Sequence, residues 1–361
     1  MNRKYWYWIN NIEGIGNAKI RHLLDFAGTP EHVYSMSKKE LLQIDSLSEK
    51  DINNIISDKN KSAIFEEYEK NTAKGIKFVF PFEEAYPQKL NEIYDKPYIL
   101  YYRGELPSEN RKQIAIVGSR KCSEYGRYAA RELSRVITLA GGDVISGLAL
   151  GIDSEAHRGA LSCGGTTYAI MAGGVDKCYP PENYNLYTDI LNSGGIISEF
   201  PGNSITKPGM FPLRNRIISG MSDAVIVVEA GKKSGSLITA AFALEQNRDV
   251  YAVPGRIVDS TGIGCNELIA EGAMVVTDFD SMVKNLGLTS SNSKKNIKSN
   301  IALASDEKML YSLLLDFTPR SLEYLVIESR LNPEQVIRCL ISLEIKGVIK
   351  EISKNYYTRV Q

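Results

Sequence analysis

The chain has 361 residues, which at about 100–200 residues per domain predicts two or three domains. Its 43 basic and 43 acidic side chains give a formal net charge of zero, which excludes a polycation that binds nucleic acid over its whole surface. Any nucleic-acid site must therefore be local. The five cysteines form no C-x-x-C pair, and no run approaches the roughly 18 apolar residues that span a bilayer, so we expect a cytoplasmic protein without a membrane span.

The N-terminal segment, residues 1–75, has apolar side chains such as Ile20 and Leu23 at helical spacing and predicts a small helical domain. Its glycine-bearing turn at residues 14–16 resembles a helix-hairpin-helix turn, in which backbone amides can approach a phosphate. A plain helical hairpin is the alternative. The stretch that follows, up to residue 104, reads as one or two strands leading into the next domain.

The periodicity changes at Lys112, where short continuous apolar runs begin to alternate with helical stretches. Continuous apolar runs are typical of strands covered on both faces, and their alternation with helices predicts right-handed crossovers in a parallel sheet. We therefore predict an α/β fold with an extended Rossmann-like parallel sheet over residues 76–286. The predicted strands lie at 114–117, 144–145, 168–172, 196–197, 225–228, 250–253 and 274–276.

The C-terminal part divides into a predicted linker and a third domain. Residues 287–300 are rich in small polar residues and lack periodicity, which indicates a linker. Residues 301–361 predict three helices and two short strands, the order of a winged-helix domain. For a transcription regulator, the third helix offers only Arg338 and nearby Lys346 as basic candidates, although each phosphate contact usually needs its own cation. A protein-interaction role is an equally good interpretation of this domain.

Glycines follow six of the predicted strands in succession. In an open parallel sheet, ligands bind beyond the carboxyl ends of the strands. Because glycine has no β-carbon, backbone N–H groups can form an anion-binding concavity at a helix start. Each loop alone is explained by the needs of a parallel-sheet turn, but their repetition predicts a site for a phosphate-rich ligand. The loops lie at 118–120, 146–153, 173–176, 199–202, 229–236 and 254–255.

Arginine and lysine side chains accompany these loops. Arg120 and Lys233 lie within two of them, and residues 211–220 place Arg214 and Arg216 around the start of a helix. Arginine forks bind phosphate through two hydrogen bonds, so this segment predicts further phosphate contacts.

Arg216 has an equally good alternative role. It can hold the fold through an ion pair with a buried carboxylate, such as Glu199 or Glu229.

The sequence contains few motifs typical of a nucleotide-cofactor site or of a catalytic site. Residues 118–122 do not form G-x-G-x-x-G, and no G-x-x-x-x-G-K-[ST] occurs, which argues against an NAD enzyme or a P-loop ATPase. Asp153 and His157 lie four residues apart on one helical face, where a hydrogen bond at the helix start is a better interpretation than an acid–base pair. Cysteines and histidines lack the spacing of metal ligands. We expect no cofactor and no metal.

With these motifs assembled, the chain resembles the DNA-processing protein A family, also called DprA or Smf. The resemblance implies a protein that is not an enzyme. Its Rossmann domain would bind single-stranded DNA and form a homodimer, and the protein would protect incoming DNA and load RecA recombinase on it during natural transformation. The segments that carry the resemblance are 116–120, 146–157, 211–220, 229–240 and 253–255.

The same resemblance implies a set of DNA-binding residues, most of which contribute a strand-end backbone or a phosphate contact. Family members can carry a lysine in the loop after Tyr-Pro, where this chain has Pro181, and Lys177 is the candidate to replace it. The implied residues are Gly118, Ser119, Arg120, Gly147, Leu148, Gly151, Lys177, Asn183, Phe211, Arg214, Asn215, Arg216, Lys233, Ser234, Gly235 and Ser236.

The alternative function is an enzyme. The glycine-rich loop at 229–236 also resembles nucleotide phosphoribohydrolases of the lysine-decarboxylase-like type, which need P-G-G-x-G-T and a downstream glutamate as the working acid. Pro254 and Gly255 follow the wrong strand for that motif.

Overall fold

The computed structural model describes residues 2–59, 63–202, 204–288, 303–314 and 319–359. The chain forms two compact units, Met1–Ser291 and Asn292–Gln361. Most of the predicted linker, from residue 289 onward, lies outside the described residues. No helix within the described ranges is long and apolar enough to cross a membrane.

The N-terminal helices pack against the sheet and share its hydrophobic core. Trp8 and Ile55 are fully buried in the same cluster as Phe78 and Tyr101, which belong to strands of the sheet. The structure therefore joins the segment expected to form a separate helical domain to the sheet, within one compact unit. The helices are α1 Arg3–Asn10, α2 Asn17–Ala27, α3 Pro30–Ser35, α4 Lys38–Leu41, α5 Glu49–Lys59 and α6 Ala63–Ala73.

The described strands of the first unit form one nine-stranded sheet in the order β1-β2-β6-β5-β4-β3-β7-β8-β9. The seven strands from β6 to β9 in this order are parallel, whereas β1 and β2 pair antiparallel. This confirms the predicted α/β fold and its parallel sheet. The strands are β1 Lys77–Val79, β2 Leu100–Gly104, β3 Gln113–Val117, β4 Asp143–Ser146, β5 Thr167–Ile170, β6 Gly195–Ser198, β7 Ala224–Val227, β8 Asp249–Ala252 and β9 Met274–Val275.

The central strands are buried on both faces, which explains their continuous apolar runs. In β3, Ile114 and Ile116 belong to one hydrophobic cluster, while Ala115 and Val117 belong to the cluster on the opposite face. Helices cover both faces, as right-handed crossovers between parallel strands require. These helices are α7 Glu124–Leu139, α8 Ile152–Ser162, α9 Tyr184–Ser193, α10 Met210–Gly220, α11 Gly235–Glu245, α12 Ile263–Ala270 and α13 Phe279–Asn285.

The second unit is a winged helix with its own hydrophobic core. Leu310, Leu325 and Leu340 come from its three helices and pack in one cluster. Its strands form a three-stranded antiparallel sheet in the order β10-β12-β11. The elements are α14 Ser305–Leu313, β10 Arg320–Ser321, α15 Leu322–Ser329, α16 Pro333–Ile345, β11 Ile349–Ser353 and β12 Tyr356–Arg359.

Glu307 joins the first and last helices of the winged helix. Its carboxylate accepts hydrogen bonds from Lys346 Nζ at 2.6 and 2.8 Å and from Ser342 Oγ at 2.6 Å. The hydrogen bond from Lys346, followed by those from Ser342 and the Ala304 amide, lowers the pKa of Glu307 to about 2. The ionised carboxylate therefore stabilises the folded unit.

We predict that Glu307→Gln lowers the free energy of unfolding of the winged helix by roughly 1–3 kcal/mol at pH 7. Since the pKa is lowered on folding, the ionic contribution is complete above the unfolded value of about 4.3 and is lost as the pH falls toward 2. Calorimetric unfolding of the full chain between pH 7 and pH 3 measures this effect. An equal difference at both pH values would contradict it, and exposed Glu323→Gln serves as the control.

Candidate functional site

The strand order of the sheet reverses at β3. The chain passes from β3 to β4, β5 and β6 on one side and then returns to place β7 on the other side of β3. The loops after β3 and β7 diverge at such a point and leave a cleft at the carboxyl ends of the strands. A cavity of about 200 Å³ lies there, with Gly118, Ser119 and Arg120 from the β3 loop on one side and Ser234, Gly235 and Ser236 on the other.

A second cavity of about 250 Å³ lies over the ends of β4 and β5. Its walls include Gly147, Met171, Tyr179 and Thr206. The two cavities share four lining residues and so form one groove across β5, β4, β3 and β7, which we call the strand-end groove. Adjacent strands lie about 4.8 Å apart, so the groove crosses roughly 14 Å of sheet edge. The shared residues are Arg120, Ala149, Phe211 and Arg214.

Arg120 is the exposed cation where the two cavities meet. Its guanidinium carbon lies 4.8 Å from the centroid of the Phe211 ring, in a cation–π contact that holds the side chain along the groove. The preceding Ser119 shapes the loop, because its Oγ accepts a hydrogen bond from the Lys121 amide at 3.2 Å. Arg120 is thus presented to solvent by a fixed turn.

Arg214 lies in the floor of the groove and is only 5% exposed. Its Nη1 donates to the Ile170 carbonyl at 3.0 Å, and its Nε has no hydrogen-bond partner within the described part of the chain. A β-carbon on Gly147 would lie 1.4 Å from Nη1. Burial lowers the pKa of Arg214, but an arginine remains protonated at neutral pH. The groove therefore has a fixed positive charge beneath it, and Gly147 is needed to make room for this side chain.

Asp153 is the hydrogen-bond acceptor for two backbone amides that we expected to contact a phosphate. Its carboxylate accepts hydrogen bonds from the backbone N–H groups of Gly147 at 3.1 Å and Ala149 at 3.4 Å. Burial raises the pKa of Asp153, while the charge of Arg214 and these two amides lower it. Asp153 lines the first cavity, so it is a residue of the groove that sequence reasoning missed. Its position at the start of α8, directly after a glycine-rich loop, was the available signal.

The expected hydrogen bond between Asp153 and His157 does not form. His157 Nδ1 instead contacts Thr167 Oγ1 at 2.7 Å, and the ring is fully buried. Burial lowers the pKa of His157 to about 3, so the imidazole is neutral at physiological pH. Both side chains stabilise the sheet and its loops, and they do not form an acid–base pair.

Three further residues of the implied set support the groove from behind. Leu148 is fully buried, and its carbonyl accepts a hydrogen bond from Asn183 Nδ2 at 2.8 Å. Gly151 has φ +79°, and a β-carbon there would lie 2.4 Å from the Ser119 carbonyl oxygen. These contacts join the loop after β4 to the loops after β3 and β5, and none of the three residues lines either cavity of the groove.

Arg216 forms the structural ion pair that was its alternative role. Its Nη2 lies 2.5 Å from both carboxylate oxygens of Glu199, which also accepts a hydrogen bond from Asn17 Nδ2 at 2.7 Å. Asn17 begins α2, directly after the glycine-bearing turn at 14–16, so that turn packs against the sheet unit. Arg216 lines neither cavity of the groove.

Lys177, the candidate to replace the family lysine, lies outside the lining of the strand-end groove. Its side chain is exposed and lines neither cavity, whereas Pro181 and Glu182 line the second cavity in the loop where that lysine would stand. This end of the groove therefore lacks the expected cation.

The remaining implied residues lie at the β7 end. Asn215 Nδ2 donates to the Gly235 carbonyl at 3.2 Å, which joins α10 to the start of α11. Ser234 caps α11, whose N-terminus directs positive potential into the first cavity. Lys233 is exposed directly before this cap and lies outside the lining of both cavities.

Glu229, at the end of β7, belongs to a helix cap. Its carboxylate accepts hydrogen bonds from the Ser123 amide at 2.8 Å and from the Ser123 hydroxyl. The carboxylate also lies against Gly126, where a β-carbon would be 2.6 Å from Oε2. Glu229 thus fixes the start of α7 and lines neither cavity of the groove.

The fold and the groove together define an α/β protein with a parallel sheet and an arginine-lined groove at its strand reversal. The family model of DNA recombination-mediator protein A matches residues 77–287, and that of the DprA winged helix domain matches residues 298–353. The chain belongs to the DNA-processing protein A family, DprA/Smf, which confirms the predicted resemblance.

Curated relatives agree with this assignment. Protein Smf of Synechocystis is 36% identical over 287 residues, covering 78% of this chain and 72% of that protein. DNA processing protein DprA of Streptococcus pneumoniae is 45% identical over 198 residues, covering 54% of this chain and 69% of that protein.

Similar solved structures include those of two DprA proteins. DprA from Streptococcus pneumoniae has a TM-score of 0.70 at 32% identity and covers 78% of this chain and 97% of its own. DprA from Helicobacter pylori, whose structure describes its single-stranded DNA binding mode, has a TM-score of 0.52 at 28% identity and covers 58% of this chain and 95% of its own.

We predict that Glu199→Gln destabilises the sheet unit by roughly 3 kcal/mol, because it leaves the buried charge of Arg216 with only the longer, 3.4 Å ion pair to the partly exposed carboxylate of Asp95. Urea unfolding at pH 7 measures this change. Exposed Glu245→Gln is the control and should shift the free energy of unfolding by no more than about 0.5 kcal/mol. Equal stability of the two variants would show that the pair does not hold the fold.

Proposed function

We propose that this protein binds single-stranded DNA in the strand-end groove, protects incoming DNA and loads RecA recombinase on it during natural transformation. The strand-end groove is the observation that supports the DNA-binding part of this proposal. It runs continuously across four strand ends, with exposed Arg120 over it and buried Arg214 beneath it. A site with cations placed in this way suits a ligand with repeated phosphates.

The dimensions of the groove favour a strand over a single cofactor. Two linked cavities, crossing roughly 14 Å of sheet edge, offer room for more than one nucleotide unit. Aromatic side chains lie beside the cations: the Tyr179 and Phe211 rings are 6.0 Å apart, and Tyr179 is 44% exposed. Bases of a single strand stack on such rings without regard to sequence. Family membership and the described DNA binding of the Helicobacter pylori relative support the same ligand here.

We predict that Arg120→Ala weakens single-strand binding by roughly 1.5–3 kcal/mol, because it removes a charge-assisted phosphate contact. The dependence of affinity on salt should become shallower by about 0.7 in log–log slope, the value for one phosphate contact on a single strand. Fluorescence anisotropy with an oligonucleotide at several salt concentrations measures both quantities. Lys39→Ala, an exposed cation on α4, is the control. Unchanged affinity and slope would remove Arg120 from the site.

A homodimer through the Rossmann-like unit is part of the proposal, and its surface is the β8–β9 end of the sheet. β9 is the terminal strand, and both of its residues, Met274 and Val275, are exposed. The loop after β8 adds Ile257 and Val258, which are 91% and 75% exposed. An open strand edge beside exposed apolar side chains is a common site of chain association. A second copy of this chain would cover both the edge of β9 and these exposed side chains.

We predict that Ile257→Glu with Val258→Glu shifts the chain from dimer to monomer, because charges would enter an apolar contact. Light scattering coupled to size-exclusion chromatography measures the mass. Leu42→Glu, on the exposed surface of the N-terminal helices, is the control and should leave the mass unchanged. A dimer that persists in the double variant would place the contact elsewhere.

The handover to RecA is supported by the family, whose model is that of a DNA recombination-mediator protein. A cytoplasmic setting is supported by the cysteines, all five of which are free, including buried Cys265. Free thiols are typical of proteins in a reducing compartment.

A phosphoribohydrolase needs a glutamate that works on the substrate, and Glu229 instead caps α7 outside the groove. We therefore predict no turnover of nucleoside monophosphates by this protein. Release of free base, measured by chromatography and abolished in Glu229→Gln, would overturn the binding proposal in favour of an enzyme.

A further inference from the structure

The outer face of α7 carries three arginines at intervals of four residues, which we call the arginine ladder. The side chains of Arg127, Arg131 and Arg135 are 44%, 54% and 40% exposed and follow one another at about 6 Å per step. All cations of α7 are arginines, whose guanidinium groups can bind a phosphate through two parallel hydrogen bonds. The ladder is therefore a candidate surface for a ligand with repeated phosphates.

The ladder begins beside the strand-end groove. α7 follows the β3 loop, so Arg127 comes only seven residues after Arg120 of the groove. Because β3 and β4 are parallel, α7 returns from the carboxyl end of β3 toward the amino end of β4, along one face of the sheet. A strand that leaves the groove beside Arg120 would therefore meet the ladder next.

The neighbouring helix α8 adds a fourth arginine. The two helices are in close contact, since a β-carbon on Gly159 would lie 2.2 Å from the Arg131 carbonyl oxygen. Arg131 and Arg158 share the carboxylate of Glu155, which accepts hydrogen bonds from Arg131 Nε at 2.9 Å and from Arg158 Nη1 at 2.8 Å. The Glu155 side chain is 5% exposed, whereas that of Arg158 is 45% exposed. Two outward-facing cations thus share one buried carboxylate, which leaves positive charge in excess at the surface.

The two outer rungs of the ladder pair with glutamates of the same helix. Arg127 Nε lies 3.3 Å from a carboxylate oxygen of exposed Glu124, and Arg135 Nε donates to half-buried Glu132 at 2.8 Å. Surface pairs of this kind contribute little free energy, and a carboxylate occupies only part of the five N–H donors of a guanidinium. Both arginines therefore keep donors for a phosphate.

The two flanks of the ladder differ in charge. At 100° per residue, Tyr128 lies about 60° to one side of Arg131, and Ser134 lies about 60° to the other side. Tyr128 contacts Phe279 of α13, with ring centroids 6.4 Å apart, and the start of α13 has two exposed aspartates. Ser134 Oγ donates to a backbone carbonyl of α8, the helix that carries Arg158. Phosphates are therefore favoured between the ladder and α8, away from the carboxylates of α13.

We propose that the arginine ladder, together with Arg158, is a second phosphate-binding track that continues the strand-end groove along α7. It binds the part of a single strand that leaves the groove beside Arg120. This inference rests on the proposed DNA binding, and it extends the contact from the sheet edge to a helical face. Because a short strand ends within the groove, the ladder contributes to the binding of longer strands only.

Removal of the two outer rungs from the full-length chain tests the track. Arg127→Gln with Arg135→Gln leaves Arg131 and Arg158 in place, because buried Glu155 needs their charge. Fluorescence anisotropy measures binding to two oligothymidylate probes of about 6 and about 20 nucleotides, the shorter of which the groove accommodates alone. The variant should bind the long probe roughly tenfold more weakly, with a log–log salt slope shallower by about 1.4, or 0.7 for each contact. Its affinity for the short probe should equal that of wild type.

Two further variants separate a track from an effect of net charge or of misfolding. Lys39→Gln with Lys50→Gln removes the same charge from exposed positions on α4 and α5 and should leave both affinities unchanged. Arg127→Lys with Arg135→Lys keeps the charges, so it should restore the salt slope and part of the affinity for the long probe.

Three results would overturn the proposal. They are wild-type affinity of the glutamine variant for the long probe, an equal loss for both probes, and an equal loss in the lysine control. Failure of the groove has a different signature, because wild type would then not bind the short probe. That result would contradict the groove and, with it, the ladder as its continuation.

Discussion

The groove depends on the charge of Arg214 buried beneath the loops after β4 and β5. The guanidinium is bonded to the Ile170 carbonyl, while Asp153 opposes its charge and holds the amides of Gly147 and Ala149. Removal of either charge would leave the other buried without compensation, which is costly inside a protein. The pair therefore joins α10 to the end of β5 and to the loop after β4. Gly147 lies over the guanidinium of Arg214, where a β-carbon would clash with it.

In the structure, the residues that shape the groove differ from the residues on its open side, whereas from the sequence we expected one set of residues to do both. Buried groups fix the shape and potential of the groove, whereas Arg120 and the start of α11 line its open side. A ligand that enters a groove fixed in this way loses less free energy to ordering of the protein, so a few cations are sufficient for specific placement of phosphates. The neutral net charge of the chain is consistent with a site of this local kind.

The strands were predictable because both faces of a central parallel strand are covered, which leaves a continuous apolar run in the sequence. Most side-chain partners across the fold were not predictable, although the Arg216–Glu199 ion pair was among the alternatives. Gly147 and Gly151 look alike in sequence, yet one makes room for Arg214 and the other for the Ser119 carbonyl. The four-residue spacing of Asp153 and His157 predicted a mutual contact, but Asp153 lies in the first turn of α8, where loop amides before the helix are closer partners. The shared core of the N-terminal helices and the sheet was likewise hidden, since it joins residues far apart in the chain.

The small number of cations at the groove limits what electrostatics alone can contribute to binding. Each phosphate contact on a single strand changes the logarithmic salt dependence by about 0.7, so a contact from Arg120, the exposed cation of the groove, would contribute a slope of only about −0.7. Phosphate contacts of this number provide modest affinity at physiological salt. In the proposed complex, stacking of bases on Tyr179 and Phe211 would add to it without sequence preference. In the proposed homodimer, association of two chains would add more, because a chain held by its partner rebinds the strand at a high effective concentration. A neutral protein with a short groove would therefore gain affinity for a strand from self-association, and the exposed apolar side chains Ile257 and Val258 at the β8–β9 end of the sheet are the proposed contact surface.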